Sequence, residues 1–278
     1  MLAGRSNVGK STLLNALVGS KVAIVTPKPQ TTRQPVRGIL NDPRGQIVFV
    51  DTPGVFVGKK DFVSRRLNEF VKSTLEGVDA IVYVMDPTRG PGIEEDAIRT
   101  MLLASRIPVI AVVNKSDLLE EERPFRRENL EADVGQQETI EISARKNKDL
   151  KKLVDELFDL LPEGPRMYPD LQITDMRHKD WVEELIREKV FLSLEEELPY
   201  STKVSVEDIE EREDGSRYVQ AVIWTTDERY KGMIVGAHGS KVKEIGTKAR
   251  EELEEALQAK IYLELNVKVD PKWQERFA

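Results

Sequence analysis

Residues Gly4 to Ser11 read GRSNVGKS and lead through Thr12 into the helical string LLNALV. Two glycines five positions apart and ahead of a helix let the backbone wrap inward, so successive N–H groups and the helix N-terminus face an anion. The ligand this implies is a polyphosphate, cradled by Gly4, Arg5, Ser6, Asn7, Val8, Gly9 and Thr12. Lys10 reaches the β and γ oxygens and the Ser11 hydroxyl ligates Mg²⁺. A second constellation, Asp51, Thr52, Pro53 and Gly54, follows the apolar run IVFV. An aspartate at the end of such a strand can hold the water shell of Mg²⁺, and the Gly54 N–H can meet a γ-phosphate.

Asn114, Lys115 and Asp117, in the string NKSD, follow a third apolar run, AVV. The Asp117 carboxylate can accept both the N1–H and the exocyclic amine of guanine, which adenine cannot offer in that arrangement. A helix N-cap is the alternative use of Asp117. Ser143 and Ala144, after TIEI, can add a backbone N–H for the base oxygen. Four motifs in this order, each at the carboxyl end of a strand or opening a helix, point to a guanine nucleotide.

The elements that must position these residues are legible as alternating apolar runs and helical patterns. Strands are expected at 36–40, 46–50, 80–85, 109–113 and 138–142, and helices at 10–18, 62–75, 94–104 and 149–161. That is an α/β domain with a mostly parallel sheet and helices on both faces. Its first strand is expected to be missing, because Met1 to Ala3 offer only three residues before Gly4, and impaired stability and nucleotide affinity follow from that expectation. Pro162, Gly164, Pro165 and Pro169 break the last helix and mark a linker. The division reads as a nucleotide domain at 1–163, a linker at 164–178 and a second domain at 179–278.

The second domain has the order αββααβ, with a helix at 179–198, strands at 203–211 and 218–225, a glycine-punctuated helical pair at 230–257 and a strand at 261–269. This is an α+β pattern. Between its last two helical segments, Gly236, Ala237, His238 and Gly239 form a GxxG loop, the signature of a KH domain, which brings backbone close to single-stranded RNA. From Arg229 to Arg250 there are six Lys or Arg, among them Lys241, Lys243, Lys248 and Arg250, against the single acid Glu244. Ile234 reads as core that also edges the cleft for bases. His238 fits a solvated turn or a phosphate contact equally well.

Composition narrows the remaining classes. The 278 residues carry a net charge of −7 and no cysteine, which excludes thiolate chemistry and general attraction to polyanions, so any RNA site is local. The apolar runs are too short to span a bilayer, and no signal segment opens the chain. A cytoplasmic location is the expectation.

GRSNVGKST, PQTTR at Pro29 to Arg33, DTPG, NKSD, the string LPEGP at Leu161 to Pro165 and IVGAHGSKVKEIGTKAR at Ile234 to Arg250 together resemble the Era family of bacterial GTPases, over nearly the whole chain. The resemblance implies a P-loop GTPase domain followed by a type II KH domain, with GTP or GDP and Mg²⁺ as ligands. It assigns Gln30, Thr31, Thr32 and Arg33 to the first switch loop, with Thr32 a further Mg²⁺ ligand, and gives Asn7 a part in holding a K⁺ ion. Val55 and Phe56 stand after DTPG where many GTPases place a water-orienting glutamine, so slow hydrolysis by positioning and charge neutralisation is implied. Ser6 stands where the family usually has proline. The implied partners are the 3′ region of 16S ribosomal RNA and the 30S precursor particle, with a peripheral association with the inner membrane; no DNA partner is expected, and a monomer is. A nucleotide-holding RNA-binding module with little hydrolysis is the alternative that a missing first strand would favour.

Overall fold

The computed structural model describes residues 1–54, 73–125 and 139–276 and divides the chain into two compact units, 1–175 and 176–278. The first unit is a six-stranded sheet in the order β2-β3-β1-β4-β5-β6. Its strands are β1 (Leu2–Ala3), β2 (Val36–Asp42), β3 (Gly45–Asp51), β4 (Ile81–Met85), β5 (Val109–Val113) and β6 (Ile140–Glu141). The β2–β3 pair is antiparallel and every other pairing is parallel. The unit also contains helices α1 (Lys10–Val18), α2 (Ile93–Ser105) and α3 (Leu150–Leu160) and a 3-10 turn at Glu120–Glu122.

The expectation of a missing first strand is corrected. Leu2 pairs with Asp51 on one side and Val82 on the other, and Ala3 pairs with Tyr83. The Met1 ammonium donates to the Ala80 carbonyl at 2.9 Å, and the Val82 N–H donates to the Met1 carbonyl at 2.9 Å. Two residues suffice because a central strand is hydrogen-bonded from both sides, so each residue is anchored twice.

All five positions of β4 are buried. Ile81, Tyr83 and Met85 join Met1, Ala3 and the α2 residues Ile98 and Leu102 in one cluster, while Val82 and Val84 face the other way by strand alternation. On α1, Leu14 and Val18 lie against the bare backbone of Gly38 in β2, where an added Cβ would sit 2.5 Å from Leu14 Cδ1. Glycine there lets α1 approach the sheet and carry Lys10 and Ser11 to its carboxyl edge.

The segment expected as a linker is laid along the outer side of β2. The Ile39 N–H donates to the Ile173 carbonyl at 2.9 Å. Thr174 donates to the Arg37 carbonyl at 2.7 Å, Asn41 donates to the Gln172 carbonyl at 3.1 Å, and Arg37 pairs with Asp175 at 2.7 Å. Gln46 in β3 binds the Tyr168 backbone in both directions. Residues up to Asp175 thus count with the first unit.

The second unit contains α4 (His178–Ser193), β7 (Thr202–Glu211), β8 (Arg217–Thr225), α5 (Glu228–Val235), α6 (Ser240–Leu257) and β9 (Ile261–Val269). The αββααβ order is as read from sequence, although α4 stops at Ser193, short of 198. β7 and β8 are antiparallel with a bulge between Val206 and Asp208, and β9 joins β8 in parallel. Glu183 on α4 accepts the Val206 N–H at that bulge at 2.8 Å, satisfying a backbone donor at an irregular point of the ladder.

The expected helix at 62–75 lies outside the described residues except for 73–75, which are helical. Val55, Phe56 and residue 138 also lie outside them.

Candidate functional site

The phosphate loop leaves β1 at Gly4, with φ of 149°, and enters α1 through Gly9, with φ of 100°. A Cβ on Gly4 would meet the Val84 carbonyl oxygen at 2.4 Å, and one on Gly9 would meet Asn114 Nδ2 at 2.3 Å. Both positions therefore demand glycine for conformation and for space. The Lys10 ammonium turns back to donate to the Gly4 and Arg5 carbonyls at 2.8 and 2.9 Å.

Ser11, Thr32 and Asp51 converge beside it. Ser11 Oγ donates to Asp51 Oδ2 at 2.5 Å, the two hydroxyls lie 3.1 Å apart, and Thr32 Oγ1 donates to the same Oδ2 at 3.3 Å. Asp51 Oδ1 is buried without a hydrogen-bond partner. One buried carboxylate with an orphaned oxygen, joined by two hydroxyls, is a hard oxygen set that fits Mg²⁺, a cation that keeps several waters and completes its shell with substrate phosphates. Burial pushes the Asp51 carboxyl up, against Lys10 and the two hydroxyls.

A cavity of about 580 Å³ joins these groups to the third motif. Asn114 does not face the base freely. Its Nδ2 donates to the Val8 carbonyl at 2.9 Å, and its Oδ1 accepts the Ala144 N–H at 3.0 Å, tying the phosphate loop, β5 and the loop after β6 together. Asp117 lines the cavity and accepts Ser143 Oγ at 2.6 Å. That bond is the chief reason its carboxyl sits below the usual range, which keeps it ionised as a base acceptor. Lys115, in a left-handed backbone conformation at φ of 64°, donates to Asp86 at 2.6 Å.

Other residues read from sequence are placed differently. The Arg5 side chain turns away from the cavity to the Arg89 and Gly90 carbonyls and to Glu95, so only its backbone can face a phosphate. The Val8 side chain is fully buried. Thr52 is buried and donates to the Leu2 carbonyl at 3.0 Å, holding β1 to β3, and Pro53 is also buried. Gly54 lies against the phosphate loop, where a Cβ would meet Ser6 N at 2.7 Å. Asn7 donates to the Pro27 carbonyl at 2.6 Å. Ser6, Thr12, Gln30, Thr31 and Thr32 line the cavity, Thr31 also bonding Thr26 at 2.6 Å, while Arg33 is buried.

Sequence reading missed Asp86, Thr26 and Arg145. Asp86 follows directly on the fully apolar β4, the same signal that marked Asp51.

Lys10 carries a measurable consequence. Burial lowers its ammonium to about 8, against the pull of Asp51, Glu94 and Glu95. Its ordinary value is higher, so between about pH 8 and 10 the unfolded chain holds this proton and the folded one does not. Its burial cost is thus present below pH 8 and relieved as pH rises through that window. Triphosphate favours the charged form. Calorimetry at pH 8.5 in buffers of different ionisation enthalpy is expected to show proton uptake on Mg·GTP binding, vanishing near pH 6.5.

In the second unit Gly236, at φ of 75°, passes so close to α6 that a Cβ would meet the Lys241 Cβ at 2.7 Å. Ala237 and His238 are exposed at the tip. Ile234 is fully buried, which corrects its reading as an edge of the cleft; it is core only. Lys241 and Lys248 share a helix face through Glu244, at 3.6 and 2.7 Å. Lys243 is exposed, and Arg250 pairs with Glu254 at 3.0 Å. At 1.5 Å per residue, Arg250 lies roughly 15 Å along α6 from the loop.

Residues 1–115 match a family described as 50S ribosome-binding GTPase, and residues 197–274 match the KH domain family. GTPase Era of Halothermothrix orenii is 43% identical, the match covering 98% of this chain and 92% of that protein. The chain belongs to the Era family of GTPases. GTPase Era of Heliobacterium modesticaldum is 42% identical over 99% of the chain and 92% of its own length. A crystal structure of Era in complex with MgGDPNP and nucleotides 1506–1542 of 16S ribosomal RNA superposes with a TM-score of 0.91 at 37% identity, covering 99% of this chain and 94% of that one. The Era comparison thus spans both units.

Proposed function

We propose that the chain is a cytoplasmic, GTP-hydrolysing switch whose second unit binds 16S ribosomal RNA near its 3′ end and assists maturation of the small ribosomal subunit. The observation that carries this is the one cavity lined by Lys10, by Ser11 and Thr32 with Asp51 bonded behind them, and by Asp117. Phosphate and base readers are thereby set for one guanosine triphosphate. Support for the RNA half comes from the Era complex with 16S nucleotides and from the exposed GxxG tip. No helix among the described residues is long and apolar enough to cross a membrane.

In this reading Lys10 and the inward N–H groups of the phosphate loop bind the β- and γ-phosphates and oppose the charge that develops on them. Mg²⁺, when bound, neutralises the phosphate oxygens. Ser11 and Thr32 offer it their hydroxyls, and Asp51 holds its water shell. Asn7 offers its amide oxygen to K⁺. Gly54 presents its N–H to the γ-phosphate. The central-strand expectation that favoured the alternative without hydrolysis no longer stands.

The test is multiple-turnover phosphate release in K⁺ and in Na⁺, with anisotropy of a 16S 3′-end oligonucleotide. Replacing both Ala237 and His238 by aspartate sets two negative charges at the exposed tip, and a left-handed residue such as His238 tolerates aspartate. RNA affinity is expected to fall about 10- to 100-fold. Unchanged RNA binding by that variant, or no phosphate release from the parent, would sink the corresponding half.

A further inference from the structure

Asp86, at the carboxyl end of β4, has a side chain with no solvent exposure. It touches neither the phosphate loop nor the base-reading aspartate. One of its oxygens nevertheless faces the links to both ends of the nucleotide cavity, while the other fixes the turn between them. Oδ1 accepts the Thr88 N–H at 2.9 Å and Thr88 Oγ1 at 2.7 Å, which fixes the turn leaving the strand. Oδ2 accepts the Lys115 ammonium at 2.6 Å and lies 3.5 Å from Arg89 Nε. The other arm of Arg89 donates to the Ser6 carbonyl in the phosphate loop at 2.8 Å.

Arg5 closes the connection from the opposite direction. It leaves the phosphate loop to donate to the Arg89 and Gly90 carbonyls. The turn after β4 is thus tied twice to the phosphate loop and once to the base-reading segment, and a single buried carboxylate is the point where both ties meet. Burial alone would raise Asp86, but the Lys115 and Thr88 hydrogen bonds outweigh it and hold the carboxyl below its ordinary range. It therefore acts as a fixed negative charge. Among the described residues, Asp86 is the carboxylate with which the Lys115 ammonium pairs.

We infer that Asp86 is a positioning residue for guanine nucleotides, holding Lys115 at the base end and, through Arg89, the phosphate loop at the other. The inference rests on the nucleotide reading proposed above. Asp86 makes no contact with the reacting atoms, so it acts on affinity through Lys115 and Ser6.

The test uses the full chain and GDP as probe. Asp86→Asn is expected to weaken GDP binding about 10-fold or more, since it replaces a charge-assisted hydrogen bond by a neutral one. KM for GTP rises by a similar factor and by more than kcat falls. A merely structural role would lower the folded fraction, and so kcat per total protein, while leaving KM unmoved. Combined with Lys115→Met, the double variant is expected to lose clearly less than the sum of the two single losses, because the Asp86–Lys115 bond is removed in both. Unchanged KM and Kd, or additive losses, overturn the inference. Should Asp86→Asn fail to fold, the pair Arg89→Met and Lys115→Met meets only through this carboxylate. Non-additivity of about 3-fold or more sustains the inference and additivity overturns it. Failure of the unaltered chain to bind GDP sinks the nucleotide reading itself, which separates the two.

Discussion

Asp117→Asn is expected to exchange guanine for xanthine. The carboxylate accepts two donors from guanine, N1–H and the exocyclic amine. An asparagine amide accepts the first and presents its own N–H₂ to the second, which leaves two donors opposed. Xanthine carries an oxygen in place of that amine and so meets the amide correctly. GTP affinity should fall roughly 10²- to 10³-fold, the scale set when a site built to hydrogen-bond a polar group faces the wrong one. Ser143 keeps an acceptor in the amide oxygen, so the hydrogen bond it now gives to Asp117 need not be lost. Competition titration with GTP and xanthosine triphosphate reads the exchange. Unaltered GTP affinity would mean that Asp117 serves only its own loop.

Lys10→Met should remove nearly all productive phosphate binding while keeping the volume of the side chain. Lys10 is buried at the mouth of α1, and its ammonium now satisfies two loop carbonyls, Gly4 and Arg5. Without it, a triphosphate would enter a water-poor site lacking its chief protein cation, and those carbonyls would lose their donor. Breaking a buried charge pairing costs about 3–5 kcal/mol, or roughly 10²- to 10³-fold or more in kcat/KM for GTP at 1.4 kcal/mol per decade. Single-turnover hydrolysis with saturating Mg²⁺ checks this. A loss under about 5-fold would show that backbone N–H groups alone carry the phosphates.

The parallel core was legible because strands buried on both faces are written as short apolar runs. Residues 109–113 and helix 10–18 were bounded as observed. The ends of those runs also placed Asp51, Asn114 and Asp117 at one edge of the sheet. What stayed hidden has physical reasons. A two-residue strand such as β1 carries no periodicity, so only its pairing partners reveal it. The run of cations from Arg229 to Arg250 is compact along the chain, yet a helix spreads it over several faces and pairs Lys241, Lys248 and Arg250 with acids. Ile234 has the apolar character of a cleft or of a core alike, and only burial separates the two. Asp86 lacked a motif around it; its importance lies in what approaches it from distant segments.

The run 167–175 along β2 bears on how the molecule can be cut. The β2 strand ends its sheet, and its outward N–H and C=O groups would otherwise be offered to any extended chain that passed. Ile173 and Thr174 occupy the Ile39 N–H and the Arg37 carbonyl, and Gln172 accepts the Asn41 side-chain amide beside them. A nucleotide fragment ending at 163 would keep its fold-determining core and lose this cover, becoming a template for a neighbour's strand. One ending at 175 would keep the cover, and the two fragments would differ in self-association before they differed in nucleotide chemistry.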